Sequence, residues 1–424
     1  MTLFKQLLPA ALLPALAACQ QIGTAVPEVH PKLPTYRCTN QGGCVQRDTT
    51  IVLDEFYRNI HDVNNTAISC GTYAALNTTL CPTAEACAEN CALEGIDYAA
   101  NGVQTDGDAI IMNQFIKLPN GTYDSVGPRV YLLDIGEEDY ELFQMLDMEI
   151  SFDVDLSKLV CGMNGALYLT EMEASGGRSA LNPAGASYGT GYCDAQCSRL
   201  AWINGVANVN ETHGSCCNEM DLLEANALAQ AMTPHPCNTS GVYLCTSDDE
   251  CGQADGVCDE WGCGWNPYVY NVTDFYGPAA NDTIDTKRVF TVTTQFITDD
   301  GTPDGTLIEI RRLWGQDGRI LKNAVVSTGD GFTGSVMDDA YCNATASWTQ
   351  ERGGLAGMGD ALGRGMVLIF SIWDDTGGYM NWLDEGSAGP CNATEGNPAL
   401  IEEYYPGVQV KFEKIRYGEI GSTF

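Results

Sequence analysis

Three carboxylates, Glu219, Asp221 and Glu224, crowd into the stretch 216–226, CCNEMDLLEAN, beside two adjacent cysteines. Met220, Leu222 and Leu223 interleave the acids with bulky apolar groups, the pattern of a half-buried strand rather than of a charged helical face. In an unbroken strand Glu219 and Asp221 share a face while Glu224 points the other way. Glu224 joins them only if a bulge or bend intervenes at about Leu222 to Leu223. The convergence would suit glycoside hydrolysis, which needs one ionised carboxylate as nucleophile or base and one protonated carboxyl to donate to the leaving oxygen; Asp221 would position the first. Acidic runs are more often plain solvated faces, so this chemistry must be supported by the rest of the chain.

The elements that would carry such a site are strands. Ile150, Phe152 and Val154 alternate with Glu149, Ser151 and Asp153, and Val408, Val410 and Phe412 alternate with Gln409, Lys411 and Glu413. Phe290, Val292 and Thr294 repeat the period along 289–297. Long helical periodicity is absent, and the 46 glycines accompany closely spaced turn signals. This pattern predicts antiparallel sheets packed as a sandwich or jelly roll. A parity change between Phe412 and Ile415 predicts a bent strand there. No linker, repeat or composition break divides residues 20–424, so they are read as one β domain.

Residues 1–19 read as a secretory signal peptide. Lys5 precedes an apolar run from Leu7 to Ala18 that Pro9 and Pro14 interrupt, too short and kinked to span a bilayer. Cleavage after Cys19 starts the mature chain at Gln20 and leaves 18 of the 19 cysteines, an even number compatible with nine disulfides and no free thiol. The spacing Cys193-x-x-x-Cys197 and the pair Cys216-Cys217 could also hold zinc, but an oxidising compartment favours disulfides and no metal. Adjacent strand cysteines face opposite ways, so 216 and 217 need different partners, and 193 and 197 supply two. Nine sequons, at Asn64, Asn77, Asn120, Asn210, Asn238, Asn271, Asn281, Asn343 and Asn392, agree with passage through a eukaryotic secretory pathway. The formal net charge of -35 repels nucleic acid and anionic membranes, whereas a neutral polysaccharide meets no such barrier.

Several long motifs in this order resemble the family 7 glycoside hydrolases, fungal cellulases with a concanavalin-like β-jelly-roll: GTGYCDAQC at 189–197, the 216–226 stretch, TPHPC at 233–237, CGWNPY at 263–268, MVLIFSIWDD at 366–375 and GEIGST at 418–423. The likeness runs through essentially the whole mature chain, whereas a lone Glu-x-Asp-x-x-Glu is similar to family 16 β-glucanases as well. It implies an all-β sandwich of two antiparallel sheets with long disulfide-stapled loops, an open substrate cleft and no cofactor. It also implies that Glu219 is the nucleophile, Asp221 its hydrogen-bonding neighbour and Glu224 the acid/base of a retaining double displacement, with the two nearby anions raising the pKa of Glu224. By the same resemblance His235 lines the cleft beside the acid/base. Trp373 and Trp382 stack on glucose rings on either side of the cleavage point. Asn164, Tyr168, Tyr192, Asp194 and Gln196 line the cleft and hydrogen-bond sugar hydroxyls. Where many members carry a distant stacking tryptophan this chain has Asn59, with Tyr57 two positions earlier as the remaining aromatic. The implied disulfides are 38 with 44, 70 with 91, 81 with 87, 161 with 391, 193 with 217, 197 with 216, 237 with 258, 245 with 251, and 263 with 342.

Only 18 residues separate Cys197 from Cys216 and only 8 separate Trp382 from Cys391, intervals that are long where relatives roof the cleft into a tunnel. The expected activity is therefore that of a secreted, monomeric endo-β-1,4-glucanase acting on β-1,4-glucan, with a cellobiohydrolase of the same family as the alternative. A non-catalytic β-glucan-binding lectin is the alternative of another class, and retention of all three acids argues against it. A disulfide-rich structural wall protein would carry repeats, and none is found. The chain ends at Phe424 without a linker or cellulose-binding module, so weak adhesion to crystalline cellulose is expected.

Overall fold

The computed structural model describes residues 21–252, 255–329 and 331–424; the expected signal peptide at 1–19 lies outside the described residues. Two large sheets form a sandwich. One has seven strands, six of which build the site: β1 (Thr50–Leu53), β2 (Arg129–Leu133), β3 (Met163–Thr170), β4 (Glu219–Ala225), β5 (Gln230–His235) and β6 (Met366–Asp374). Their spatial order is β5-β4-β3-β6-β2-β1, antiparallel throughout, and the short strand Leu142–Phe143 pairs with β6. The other sheet has ten strands centred on Phe290–Thr298, Met148–Asp155 and Gln409–Glu419.

Period two decides which face of each strand enters the core. On β6, Met366, Leu368, Phe370 and Ile372 turn inward to meet Phe152, Val292, Phe296, Trp314 and Phe412 of the opposing sheet. The intervening Ser371 and Trp373 face the cleft. Each large apolar side chain fully buried in this way contributes roughly 1.5–3 kcal/mol. The predicted bend in the last strand is present: pairing steps from Ser151–Arg416 to Asp153–Glu413, and Lys414 takes up the extra residue with a left-handed φ of 53°.

The alternation misleads in one respect. Glu149 and Ser151, the polar side of that alternation, are wholly buried, and the chain end crosses over them. Glu149 Oε1 accepts from Thr423 N at 2.9 Å and Thr423 Oγ1 at 2.7 Å, and Glu149 Oε2 accepts from Gln295 Nε2 at 2.8 Å.

All nine disulfides pair as the resemblance implied. Cys193–Cys217 and Cys197–Cys216 staple the loop 193–197 to the residues entering β4. Eight of the nine sequon asparagines are exposed; Asn77 is half-buried and its Nδ2 donates to Ser69 O at 3.0 Å. Among the described residues no helix is long and apolar enough to cross a membrane.

Candidate active site

The doubled leucine of β4 makes the site. Pairing with β3 steps from Asp221–Tyr168 to Leu223–Leu167, and pairing with β5 steps from Asp221–Thr233 to Glu224–Ala231, so one residue is left over between them. Leu222 and Leu223 both enter the core, together with Met220 and Ala225. The bulge expected at Leu222 to Leu223 is thus present, and it returns Glu224 to the face already occupied by Glu219 and Asp221. All three acids line a cleft cavity of about 780 Å³ that crosses the seven-stranded sheet.

Each acid has a different neighbour. Glu219 Oε2 accepts from Ala195 N at 3.1 Å, a donor carried by the stapled loop. Burial and the charges of Asp221 and Asp194 push the Glu219 carboxyl well above its ordinary range, while His235 and the Ala195 N–H favour the anion. Asp221 Oδ2 lies 3.0 Å from His235 Nε2. The opposite ring nitrogen, Nδ1, lies 2.8 Å from Asp259 O, an acceptor only, so it carries a proton and donates. Burial opposes a charge on His235, yet Asp221, Glu219 and the Asp259 carbonyl outweigh it and raise the imidazole to about 10. The resulting imidazolium is the counter-charge of Asp221. Glu224 is raised to about 8, by burial first and by the charge of Asp221 second. The expectation that Glu219 and Asp221 act together on it is therefore replaced by burial plus Asp221.

The expected cleft residues fall into three groups. Tyr57, Tyr168, Tyr192, Asp194, Gln196, His235, Trp373 and Trp382 do line the cavity. Tyr57 donates to Gly127 O at 2.6 Å, the hydroxyls of Tyr168 and Tyr192 lie 3.2 Å apart, and Asp194 Oδ1 accepts from Gln196 N at 3.0 Å. Trp373 and the half-exposed Trp382 stack with ring centres 6.5 Å apart and planes 29° from parallel, one continuous indole surface beside the acids. Asn59 is exposed and its amide turns to Thr66 O at 3.5 Å. Asn164 departs from its expected role as a sugar ligand. It is fully buried behind Glu224, donating to Glu224 Oε1 at 2.9 Å and accepting from Ala225 N at 3.1 Å, so both ends of its amide are already used.

Among the lining residues that escaped the sequence reading are Arg129 and Trp261. Arg129 bonds Asp54 through Nε at 2.8 Å and holds its guanidinium 3.3 Å from the Tyr192 ring centre. The parity of Arg129 and Tyr131 against Val130 and Leu132 could have located it. Trp261, 52% exposed and edge-on to Trp348 at 5.7 Å, sits in an irregular loop that offers no periodic signal.

With this geometry in view, comparison with known proteins is specific. The sequence model of glycosyl hydrolase family 7 matches residues 22–424. The chain is 53% identical to the endo-beta-1,4-glucanase celB of Emericella nidulans, over 99% of each chain. It superimposes on the native structure of the Humicola insolens endocellulase EGI with a TM-score of 0.90 at 45% identity, covering 96% of this chain and 100% of that one. A family 7 cellobiohydrolase from Daphnia pulex superimposes nearly as well, with a TM-score of 0.89, at 36% identity over 96% of this chain and 100% of that one.

Proposed function

The chain belongs to glycosyl hydrolase family 7, and on that premise we propose that it is a retaining endo-β-1,4-glucanase in which Glu219 is the nucleophile and Glu224 the acid/base. The observation that carries the assignment is the Leu222–Leu223 bulge, which sets three carboxylates on one buried face of β4. Glu219, whose anion the Ala195 N–H and His235 support against burial and the neighbouring acids, attacks the anomeric carbon while Glu224 gives its proton to the glycosidic oxygen. The leaving glucan departs with that proton, and the sugar remains as an ester of Glu219. Glu224, now a carboxylate held by Asn164, takes a proton from water as the water oxygen attacks the anomeric carbon; the bond from that carbon to Glu219 breaks and the carboxylate is released. Asp221, balanced by His235, keeps the nucleophile's neighbourhood polar through both steps.

Endo action rests on sequence rather than on shape. The fold superimposes almost equally on an endocellulase and on a cellobiohydrolase, so it does not separate them. Identity does: 53% to an endo-glucanase against 36% to the cellobiohydrolase, together with the short intervals 197–216 and 382–391. Secretion belongs to the same proposal, because nine disulfides need an oxidising compartment and the sequons lie mostly at the surface.

One time course on soluble barley β-glucan tests both halves. Proton NMR should find the β anomer in the first-formed product, and viscosity should collapse well before reducing ends accumulate. Glu219→Gln should fold and lose several orders of magnitude in turnover, because an amide supplies no anion. An α anomer at first, or slow thinning with cellobiose dominant from the start, would refute the respective half.

A further inference from the structure

Leu222 is the residue that the bulge leaves without a partner on either neighbouring strand. It is fully buried, so its carbonyl is shut off from water and needs a partner inside the protein. The donor that reaches it comes from the other sheet. Nη2 of Arg312, on the strand Leu307–Gln316, donates to Leu222 O across the core. Arg312 is 2% exposed, and its Cζ lies 5.4 Å from the ring centre of Trp314. Its Nε and Nη1 find no acceptor among the described residues. Burial with no anion beside it lowers its pKa to about 9. An unpaired cation in a hydrophobic core is costly, and an apolar side chain of similar volume would serve stability better. The weight therefore falls on what its single acceptor controls.

We propose that Arg312 is a positioning residue: by holding the Leu222 carbonyl it fixes the bulge, and the bulge holds Glu224 where it protonates the leaving group. The proposal rests on the assignment of Glu224 as acid/base. Glu219 lies on the near side of the bulge, paired in register with Thr170 and His235, and does not depend on it. Without Arg312 the 222–223 peptide is free to turn toward another donor, and Glu224 moves with it. A displacement of about 1 Å costs on the order of 100-fold in a positioned proton transfer.

The dependence on leaving group isolates this role from plain stability. A 2,4-dinitrophenyl β-cellobioside departs without a proton, whereas barley β-glucan requires one. For Arg312→Met, with competent sites counted by covalent trapping on the nucleophile with a 2-deoxy-2-fluoro glycoside, kcat on β-glucan should fall about 30- to 100-fold with KM within about twofold. The glycosylation rate with the dinitrophenyl substrate should stay within about threefold, and Arg312→Lys should recover part of the β-glucan loss. Should Arg312→Met not fold, Arg312→Gln, which keeps polarity without the reach, carries the same comparison. Equal falls on both substrates, or no fall on either, would overturn the proposal. Glu224→Ala is the control: if it retains β-glucan turnover, the acid/base assignment is what has failed, not the role of Arg312.

Discussion

Glu224 depends on a side chain that never meets solvent. Asn164 donates its amide to Glu224 Oε1, and that bond favours the ionised carboxylate, offsetting part of the upward push from burial and Asp221. Asn164→Leu keeps the volume and removes the donor, so the Glu224 pKa should climb further above about 8. Because the acid must be protonated in the first step, the basic limb of kcat/KM should move to higher pH, while the step that needs the anion slows. A pH–rate profile checks this, and a limb that stays put or moves down would refute it. The resemblance placed Asn164 on the cleft side of β3, where it holds Glu224, yet gave no measure of depth. Period two assigns a direction to a side chain, whereas what lies in front of it is decided by other strands. His235 was legible only through its motif, since a histidine between prolines carries no local sign of the aspartate it meets on the neighbouring strand.

Strand β4 is where sequence was most explicit. Acids at 219, 221 and 224 cannot share one face of a regular pleat, and the adjacent leucines both demand a core; one bulge satisfies both requirements. The buried Glu149 was illegible because its cover comes from residues more than 270 positions away. The disulfides divide along the same line between local and distant. Cys197–Cys216 anchors the short loop whose Ala195 N–H holds Glu219, whereas Cys161–Cys391 joins segments 230 residues apart. Cys197→Ser with Cys216→Ser should therefore lower kcat by about tenfold, the scale of one loosened hydrogen bond to the nucleophile, with little change in the unfolding midpoint. Cys161→Ser with Cys391→Ser should cost roughly 2–5 kcal/mol of stability and leave the kcat of folded molecules intact. Denaturant melts and active-site-normalised rates on both pairs distinguish the two, and exchanged outcomes would show that the loop is not a catalytic support.

At the scale of the whole molecule, charge and burial act in the same direction. A carboxyl whose folded pKa exceeds its unfolded value binds its proton more tightly in the native state. The stability it lends is complete below about pH 4.5 and is lost as pH climbs through the folded value. Glu55, buried beside Asp54, and Glu224 both stand at about 8, and burial raises Asp194 and Asp384 as well. His235, at about 10, has the same sign, since its imidazolium is favoured by the fold. Glu94 opposes them: burial disfavours its charge, but the Val26 and Ala25 N–H groups and His61 hold it below the ordinary carboxylate range, so its contribution is lost only in stronger acid. A net charge of -35 and a pI near 4.1 add self-repulsion that also grows with pH. Tm should accordingly be highest between about pH 4.5 and 5 and decline toward pH 8. Salt separates the two causes, because surface repulsion is screened within about 8 Å at physiological ionic strength while a buried proton is not. Glu55→Gln, which mimics the protonated side chain, should flatten the decline between about pH 5 and 8 at any salt concentration and leave the basic limb of activity with Glu224. A Glu55→Gln slope equal to that of the wild type would mean that Glu55 is ionised in the native protein and that the acid preference comes from surface charge, and a Tm that rises from pH 5 to pH 8 would refute the acid preference itself.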